Sequence, residues 1–588
     1  MKAGAFTRYL LLSLCLGFLF LFLIVPILLT VRDAFFTEQA GVERFTLVYV
    51  LDVFRDPVLV ESLINSLFIA VCVTVLSLAI AMPLAMLATR YDFRGKVIFT
   101  SLLLVPLILP PFVGAIGLRQ ILGRYGAVNA VLEWMGLVDW AQPIDFLGGA
   151  RLWGVVLMEA LHLYPIIYLN LAAALANLDP AMEQAADNLG ASRWMRFWRI
   201  TFPLIMPGVF AGSTIVFIWS FTELGTPLMF DFTEVAPVQI FWGIKDLTSP
   251  RPFALVVVVL AISTLFYLLG RVALAGRVHT ATTRAAVAGG ARQLGLGRGA
   301  LVALPFAAIT LLAVLPHIGV VIASFTEPGS WYQTILPTGW TVDHYASPRG
   351  ALAHPLAAGS IQNSLLYSVL AMLLDVGLGL MIAYLVVRGR VVGGRLLDAM
   401  SMLPLAVPGL VMAFGYVAMS AAIVEWLKDA GWTADQIPAI LQITGENPNP
   451  ILFLVIAYAV RRLPYVVRAT VAGLEQTPLD LEEASQILGA SKLYTVRRVV
   501  MPLIMANLIA GGLMAFSFAM LEVSDSLILA QNQDHFPITK AIYRLFDRLG
   551  DGHYVASAMG VWGMALLTLT LIGASMLLGR KMGAIFRI

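Results

Sequence analysis

Long runs of apolar residues alternate with short polar segments from one end of the chain to the other. The runs cover 9–31, 63–89, 97–121, 152–178, 203–225, 253–275, 300–324, 361–387, 396–423, 450–474, 502–530 and 556–579. A hydrocarbon core of roughly 30 Å is crossed by about 20 helical residues. A helix that is apolar on every face belongs in lipid or in a buried core. The pattern therefore predicts an all-α polytopic membrane protein with about twelve transmembrane helices, the runs 203–225 and 502–530 having the softest edges. The first run is too long for a signal-peptide core and lacks a small-residue cleavage site, so it predicts a retained first span.

Composition agrees with the pattern: 60% of the 588 residues are hydrophobic and 12% charged, about half the charged share of a soluble domain. The charges that remain are sorted by loop. With the N-terminus inside, the predicted cytoplasmic segments hold Lys2 and Arg8; Arg90, Arg94 and Lys96; Arg193, Arg196 and Arg199; and Arg277, Arg284, Arg292 and Arg298. The second half continues with Arg388, Arg390 and Arg395, then Lys492, Arg497 and Arg498, then Arg580, Lys581 and Arg587. Opposite loops hold Asp33, Glu38, Glu43, Asp52, Asp56 and Glu61. Lys and Arg accumulate on the cytoplasmic side, which predicts a multi-pass membrane chain with both termini cytoplasmic. The net charge of +3 follows from this sorting and gives no support for nucleic acid as a partner; the partner that the chain requires throughout is the lipid bilayer. Cys15 and Cys72 fall in different predicted spans and read as small apolar residues, so no disulfide framework is expected.

The chain repeats itself. Residues 65–90 align with 363–388 at an offset of 298, from Asn65/Asn363 to Arg90/Arg388, and Pro106 and Pro110 fall on Pro404 and Pro408. At 299, Pro165 meets Pro464, Gly190 meets Gly489, Pro203 meets Pro502 and Glu223 meets Glu522. Six spans per copy make the repeats parallel, with a pseudo-two-fold axis along the membrane normal. The division predicted is a first six-span domain at 1–275, a cytoplasmic linker at 276–299, and a second at 300–588.

Between the fourth and fifth spans of each repeat lies a polar segment, at 179–203 and 477–502. Asp179 and Thr477 can cap a helix whose first position is Pro180 or Pro478, and Thr477 with Asp480 resembles a capping box. Gly190 and Gly489 can end that helix in the left-handed conformation, and Ser192 and Ser491 can cap the next. The expected shape is a short helix, a Gly-Ala corner and a second helix entering the membrane. Small residues, Ala185 and Ala186 in one copy and Ala484 and Ser485 in the other, would let a partner's backbone approach.

These segments resemble the signature of binding-protein-dependent ABC importer permeases: Glu-Ala-Ala, three residues, Gly, nine residues, then Ile-x-Leu-Pro. The first copy reads Gln184-Ala185-Ala186, Gly190, Ile200, Pro203; the second reads Glu483-Ala484-Ser485, Gly489, Val499, Pro502. Gln184, Ser485, Phe202 and Met501 depart from the pattern, while Glu183 and Glu482 place an acid one position ahead of it in both copies. The resemblance covers nearly the whole chain. It implies the type I ABC importer permease fold, with Glu183, Gln184, Ala185, Ala186, Gly190, Glu482, Glu483, Ala484, Ser485 and Gly489 forming ATPase-coupling helices. It also implies two separate ABC ATPase subunits and an extracytoplasmic solute-binding protein. The sequence contains no G-x-x-x-x-G-K-[ST] phosphate loop, so ATP and Mg are expected on the partner, with no cofactor in this chain and no enzymatic role.

Charged residues within apolar runs mark candidate function. Glu223 and Glu522, matched in the fifth span of each repeat, are candidate pathway residues that would favour a cation; the alternative is hydrogen bonding that fastens helix ends. Asp525, one turn from Glu522, is matched by Thr226, which works against a symmetric metal site. Glu159 and His162 are one turn apart, and their counterparts Tyr458 and Arg461 favour helix packing over a metal site. Asp375 reads as a polar fastening, and Arg461, Arg462 and Arg468 as facing water or partner halves. Among fused double permeases, the resemblance points to the ferric-iron group, with thiamine, aminoethylphosphonate or polyamine importers as alternatives. A twelve-helix secondary transporter fits the hydropathy equally well but leaves the two long polar segments unexplained.

Overall fold

The computed structural model describes residues 2–39, 42–148, 151–244, 249–275, 292–346, 355–389, 391–445, 448–548 and 550–578. Among them, ten helices are long and apolar enough to cross a membrane. The pair Lys96–Ile108 and Pro111–Trp134, bent by 96° at their junction, is apolar enough to count as an eleventh if taken as one broken span. The helix Ile451–Gln476, at the place of the remaining expected span, is long enough but carries Arg461, Arg462 and Arg468 and is not among these apolar helices. Two expected spans are displaced toward the N-terminus, running over Arg193–Phe221 and Lys492–Met520. The helices end at Phe221 and Met520, which leaves Glu223 and Glu522 just beyond them, before the short helices Gly225–Met229 and Ser524–Leu529.

The break in the bent pair has a local cause. Pro110 and Pro111 have no amide hydrogen, so the helix loses donors there, and a carbonyl four residues back loses its partner. That carbonyl belongs to Pro106, and buried His162 donates to it from Nδ1 at 2.7 Å. Tyr164 donates its hydroxyl to Leu103 O at 2.9 Å, and His317 approaches Pro110 O at 3.4 Å. At the matched place in the second repeat, Pro408 takes an extended conformation ahead of the helix Gly409–Asp429.

Packing groups the chain into two compact units that do not follow linear order. Among the described residues, one comprises those within Met1–Asp56, Gln239–Leu260 and Val342–Ile585; the other comprises those within Pro57–Val238 and Ala261–Thr341. In the first unit, Leu12, Cys15 and Leu19 of the N-terminal helix share a core with Leu378, Ile382, Leu463 and Val467. Tyr416 donates to Phe22 O at 2.7 Å there, and Arg8 to Gly389 O at 3.1 Å. In the second unit, the helix Leu296–Ser324 packs on Pro111–Leu122. Each repeat thus receives the opening helix of the other. The crossing points are glycines at matched positions: a Cβ on Gly117 would lie 1.9 Å from Pro316 O, and one on Gly415 would lie 2.7 Å from the Pro26 backbone. Close backbone approach through small residues is how helices associate in lipid. Of the expected linker 276–299, residues 276–291 lie outside the described residues; 292–293 form a short strand and a helix begins at Leu296.

Candidate functional site

Each polar segment folds as one motif. In the first, Asp179 accepts the Ala181 amide at 2.9 Å and caps the helix Pro180–Asn188. Gly190, at φ +80°, ends it. The Gly190 amide then bonds Asp187 O and the Ala191 amide bonds Ala186 O, both at 3.0 Å, the paired bonds of a Schellman motif. Ser192 caps the next turn through the Met195 amide. The second segment repeats the pattern with Leu479–Ile487, Gly489 at φ +91°, Ala490 bonded to Ser485 O, and Ser491 capping through Tyr494. One expectation fails: Thr477 does not cap. Its hydroxyl turns back to Gly473 O at 3.0 Å, and Pro478 takes the cap position without a side-chain bond. Both segments enter the membrane through a five-residue π-helical turn, Phe197–Thr201 and Val496–Val500, a feature that marks functional sites more often than chance.

The short helices expose apolar side chains. Leu189 is 89% exposed, Leu488 88% and Ile487 84%. An open depression of about 470 Å³ lies at the second short helix, lined by Ser485, Leu488, Gly489, Ala490, Ser491 and Tyr494. Gln184, Ala185, Glu483 and Ala484 are also exposed, and Ser485 half-buried, but Ala186 is buried, so only part of the expected small-residue face is open.

The acids ahead of the signature face inward. Glu183 pairs with Arg90 at 2.7 Å and accepts the Thr201 hydroxyl at 2.5 Å. Glu482 pairs with Arg388 at 2.8 Å and accepts the Tyr384 hydroxyl at 3.3 Å, while Arg388 also donates to Leu474 O at 2.9 Å and Thr477 O at 2.6 Å. Arg90 and Arg388 read in the sequence only as topology charges. Their signal was present, because both close the block of exact repeat register. Arg196, read the same way, pairs with Asp187.

Glu223 and Glu522 differ in their partners despite matched positions. Glu522 is buried and ion-paired with both Arg461 and Arg462, and Arg461 also reaches Asp525 at 3.2 Å. These two arginines, expected to face water or partner halves, are mostly buried, with side chains 20% and 13% exposed, and supply the counter-charge that buried carboxylates need; Arg468 is the half-exposed one, 3.4 Å from Asp398. Glu223 instead accepts the amides of Gly225 at 3.1 Å and Thr226 at 3.4 Å. The positions matched to Arg461 and Arg462 are His162 and Leu163. Glu159 accepts the Ser220 hydroxyl, so Glu159 and His162 serve different packing partners. Asp375 is buried, and neither of its oxygens has a hydrogen-bond partner, so it is not the fastening expected.

The family described as "Binding-protein-dependent transport system inner membrane component" matches residues 78–277 and again 375–583. The chain is 28% identical over 553 residues to the "Ferric transport system permease protein FbpB" of Actinobacillus pleuropneumoniae, covering 92% of this chain and 74% of that protein. It is 28% identical over 520 residues to the "Putative ferric transport system permease protein FbpB 1" of Haemophilus influenzae, covering 87% and 76%. Among solved structures, a chain of a bacterial ABC transporter that imports the acidic polysaccharide alginate aligns at TM-score 0.36 and 18% identity, covering 45% of this chain and 95% of that one.

Proposed function

Because the chain belongs to the binding-protein-dependent inner membrane components of ABC importers, twice over in one polypeptide, we propose that it builds the whole translocation path by itself. In this reading each short helix, Pro180–Asn188 and Leu479–Ile487, docks one separate ATPase subunit, and a binding protein delivers cargo from the other side. Both termini are then cytoplasmic, on the side of the docking helices. The observation that carries the reading is the duplicated helix with its glycine corner, which leaves Leu189, Ile487 and Leu488 in solvent. Exposed large apolar side chains clustered on a short, well-defined element mark a protein contact. Partner subunits supply ATP binding and hydrolysis.

Ferric iron is the cargo that the reading favours, supported by two ferric permease relatives matched over most of both chains. Glu223 remains a candidate pathway acid in this account, whereas Glu522 is held by its arginines. The test is purification of the tagged full chain from its native membrane, with mass spectrometry of what accompanies it. Two ATPase copies per chain are expected, with a binding protein that takes up ferric iron in preference to thiamine, aminoethylphosphonate or polyamine. A chain that transports without any ATPase overturns the docking reading, and a binding protein indifferent to ferric iron overturns the cargo.

A further inference from the structure

The helix Pro57–Arg90 is fastened at both ends, and its counterpart Pro355–Val387 is fastened the same way. At the near end, Arg90 holds Glu183 of the short helix at 2.7 Å, and Arg388, just past Val387, holds Glu482 at 2.8 Å. At the far end, Asn65 donates to Glu234 O at 2.9 Å, and the Ala236 amide donates to the Ser66 hydroxyl at 2.9 Å. The second repeat places Asn363 on Asp534 O at 2.9 Å and Phe536 O at 3.2 Å, with the Ile538 amide on Ser364 at 2.7 Å. Between Asn65 and Arg90 an α-helix rises about 38 Å, more than the roughly 30 Å hydrocarbon core. Each rod therefore joins the short helix on one side of the membrane to the segment that follows Glu223 or Glu522 on the other.

We propose that Arg90 and Arg388 are the transmission joints of the transporter: positioning residues through which displacement of each short helix is passed along its rod to the far side. The proposal rests on the docking reading above. Four features support it. The joints occur twice at one repeat offset. They join side chains 93 and 94 residues apart. They use a planar guanidinium, which fixes direction as well as distance. The far ends are also pinned by matched Asn-Ser pairs, so a push at one end has a defined outlet.

The two joints are unequal. The Arg388–Glu482 side chains are 14% and 3% exposed, and Arg388 makes two further carbonyl bonds; the Arg90–Glu183 side chains are 30% and 26% exposed. Desolvated, multiply bonded pairs hold geometry better than wet ones. The second joint is the stiffer one.

The experiment uses the full chain purified with its native ATPase and carrying Asp534→Cys, an exposed position at the far end of the second rod. Maleimide labelling of that cysteine is followed with and without ATP. With the wild-type joint, ATP changes the labelling rate. With Arg388→Gln, the ATPase is expected to copurify and hydrolyse ATP at an unchanged basal rate, while the ATP-dependent change falls about tenfold. The exchange pair Arg388→Glu with Glu482→Arg is expected to restore it in part, which lost packing alone would not allow. Arg90→Gln should have a smaller effect at Glu234→Cys. A full ATP response in Arg388→Gln overturns the joint while leaving docking intact. If Arg388→Gln fails to assemble, Arg388→Lys with Glu482→Asp decides: an undiminished response overturns the joint. Failure of the wild-type chain to copurify any ATPase overturns the docking reading, and the joint with it.

Discussion

At Gly190 and Gly489 an added Cβ would meet nothing of this protein within 4 Å, yet both residues sit at positive φ. Replacing either with valine therefore costs only backbone strain, about 1–2 kcal/mol. The expected outcome for the double variant Gly190→Val/Gly489→Val is normal membrane insertion, a modest fall in thermal stability, and a much larger fall in recovered ATPase. Quantifying ATPase bands against the purified chain checks it. Recovery that falls no further than stability does would mean that the corners touch no partner. The matched acids make the second residue-scale contrast. Glu522→Gln leaves Arg462 without its carboxylate and Arg461 with Asp525 alone, and should cost on the order of 3 kcal/mol. Glu223→Gln keeps an oxygen that can accept the Gly225 and Thr226 amides, so about 1 kcal/mol or less is expected. Unfolding temperatures of the two variants in detergent test this, and equal losses would show that the symmetric reading of the acids was right after all. That reading was natural from sequence, because the acids align; what separates them is Arg462, whose counterpart is Leu163, and a substituted counter-ion is invisible until the helices are folded together.

The elements themselves were largely legible. Apolar runs, matched prolines and the glycine corners are local signals, and local signals survive without tertiary knowledge. The signals that failed depend on distant partners: Thr477 looked like a cap but bonds its own helix, and Arg388, which looked like a topology charge, takes the Thr477 carbonyl as well as Glu482. The glycine crossings are of the same kind, since no spacing rule announces that Gly117 will meet Pro316 or that Gly415 will meet Pro26. They also differ in tightness. At Gly117 a methyl group would collide with a backbone oxygen at 1.9 Å, and at Gly415 with backbone at 2.7 Å. Backbone cannot rotate away as a side-chain tip can, so Gly117→Ala must push two helices apart and should cost about 2 kcal/mol or more. Gly415→Ala should cost less. Thermal unfolding of the two single variants orders them, and a reversed order would place the tighter crossing in the wrong unit.

For the molecule as a whole, the exchange of opening helices changes what a half can be. A fragment ending in the segment 276–291 keeps the Pro111–Leu122 helix but loses the Leu296–Ser324 helix that covers Gly117, while the remaining fragment loses the helix whose Leu12, Cys15 and Leu19 complete its core. In lipid these losses are not made good by the hydrophobic effect, because acyl chains solvate apolar side chains as well as another helix does; helix association rests on close packing and interhelical hydrogen bonds. Each half alone would therefore expose polar groups and small-residue grooves built for a partner helix. The expected outcome is that either half expressed singly is degraded or aggregates. The two halves coexpressed from a chain cut within 276–291 should instead recover as one complex at close to the yield of the intact protein, as measured by pull-down on a tag carried by one half. Stable, monodisperse single halves would mean that each repeat closes on its own opening helix when the other is absent, so that the exchange depends on the covalent linker and is not a requirement of packing.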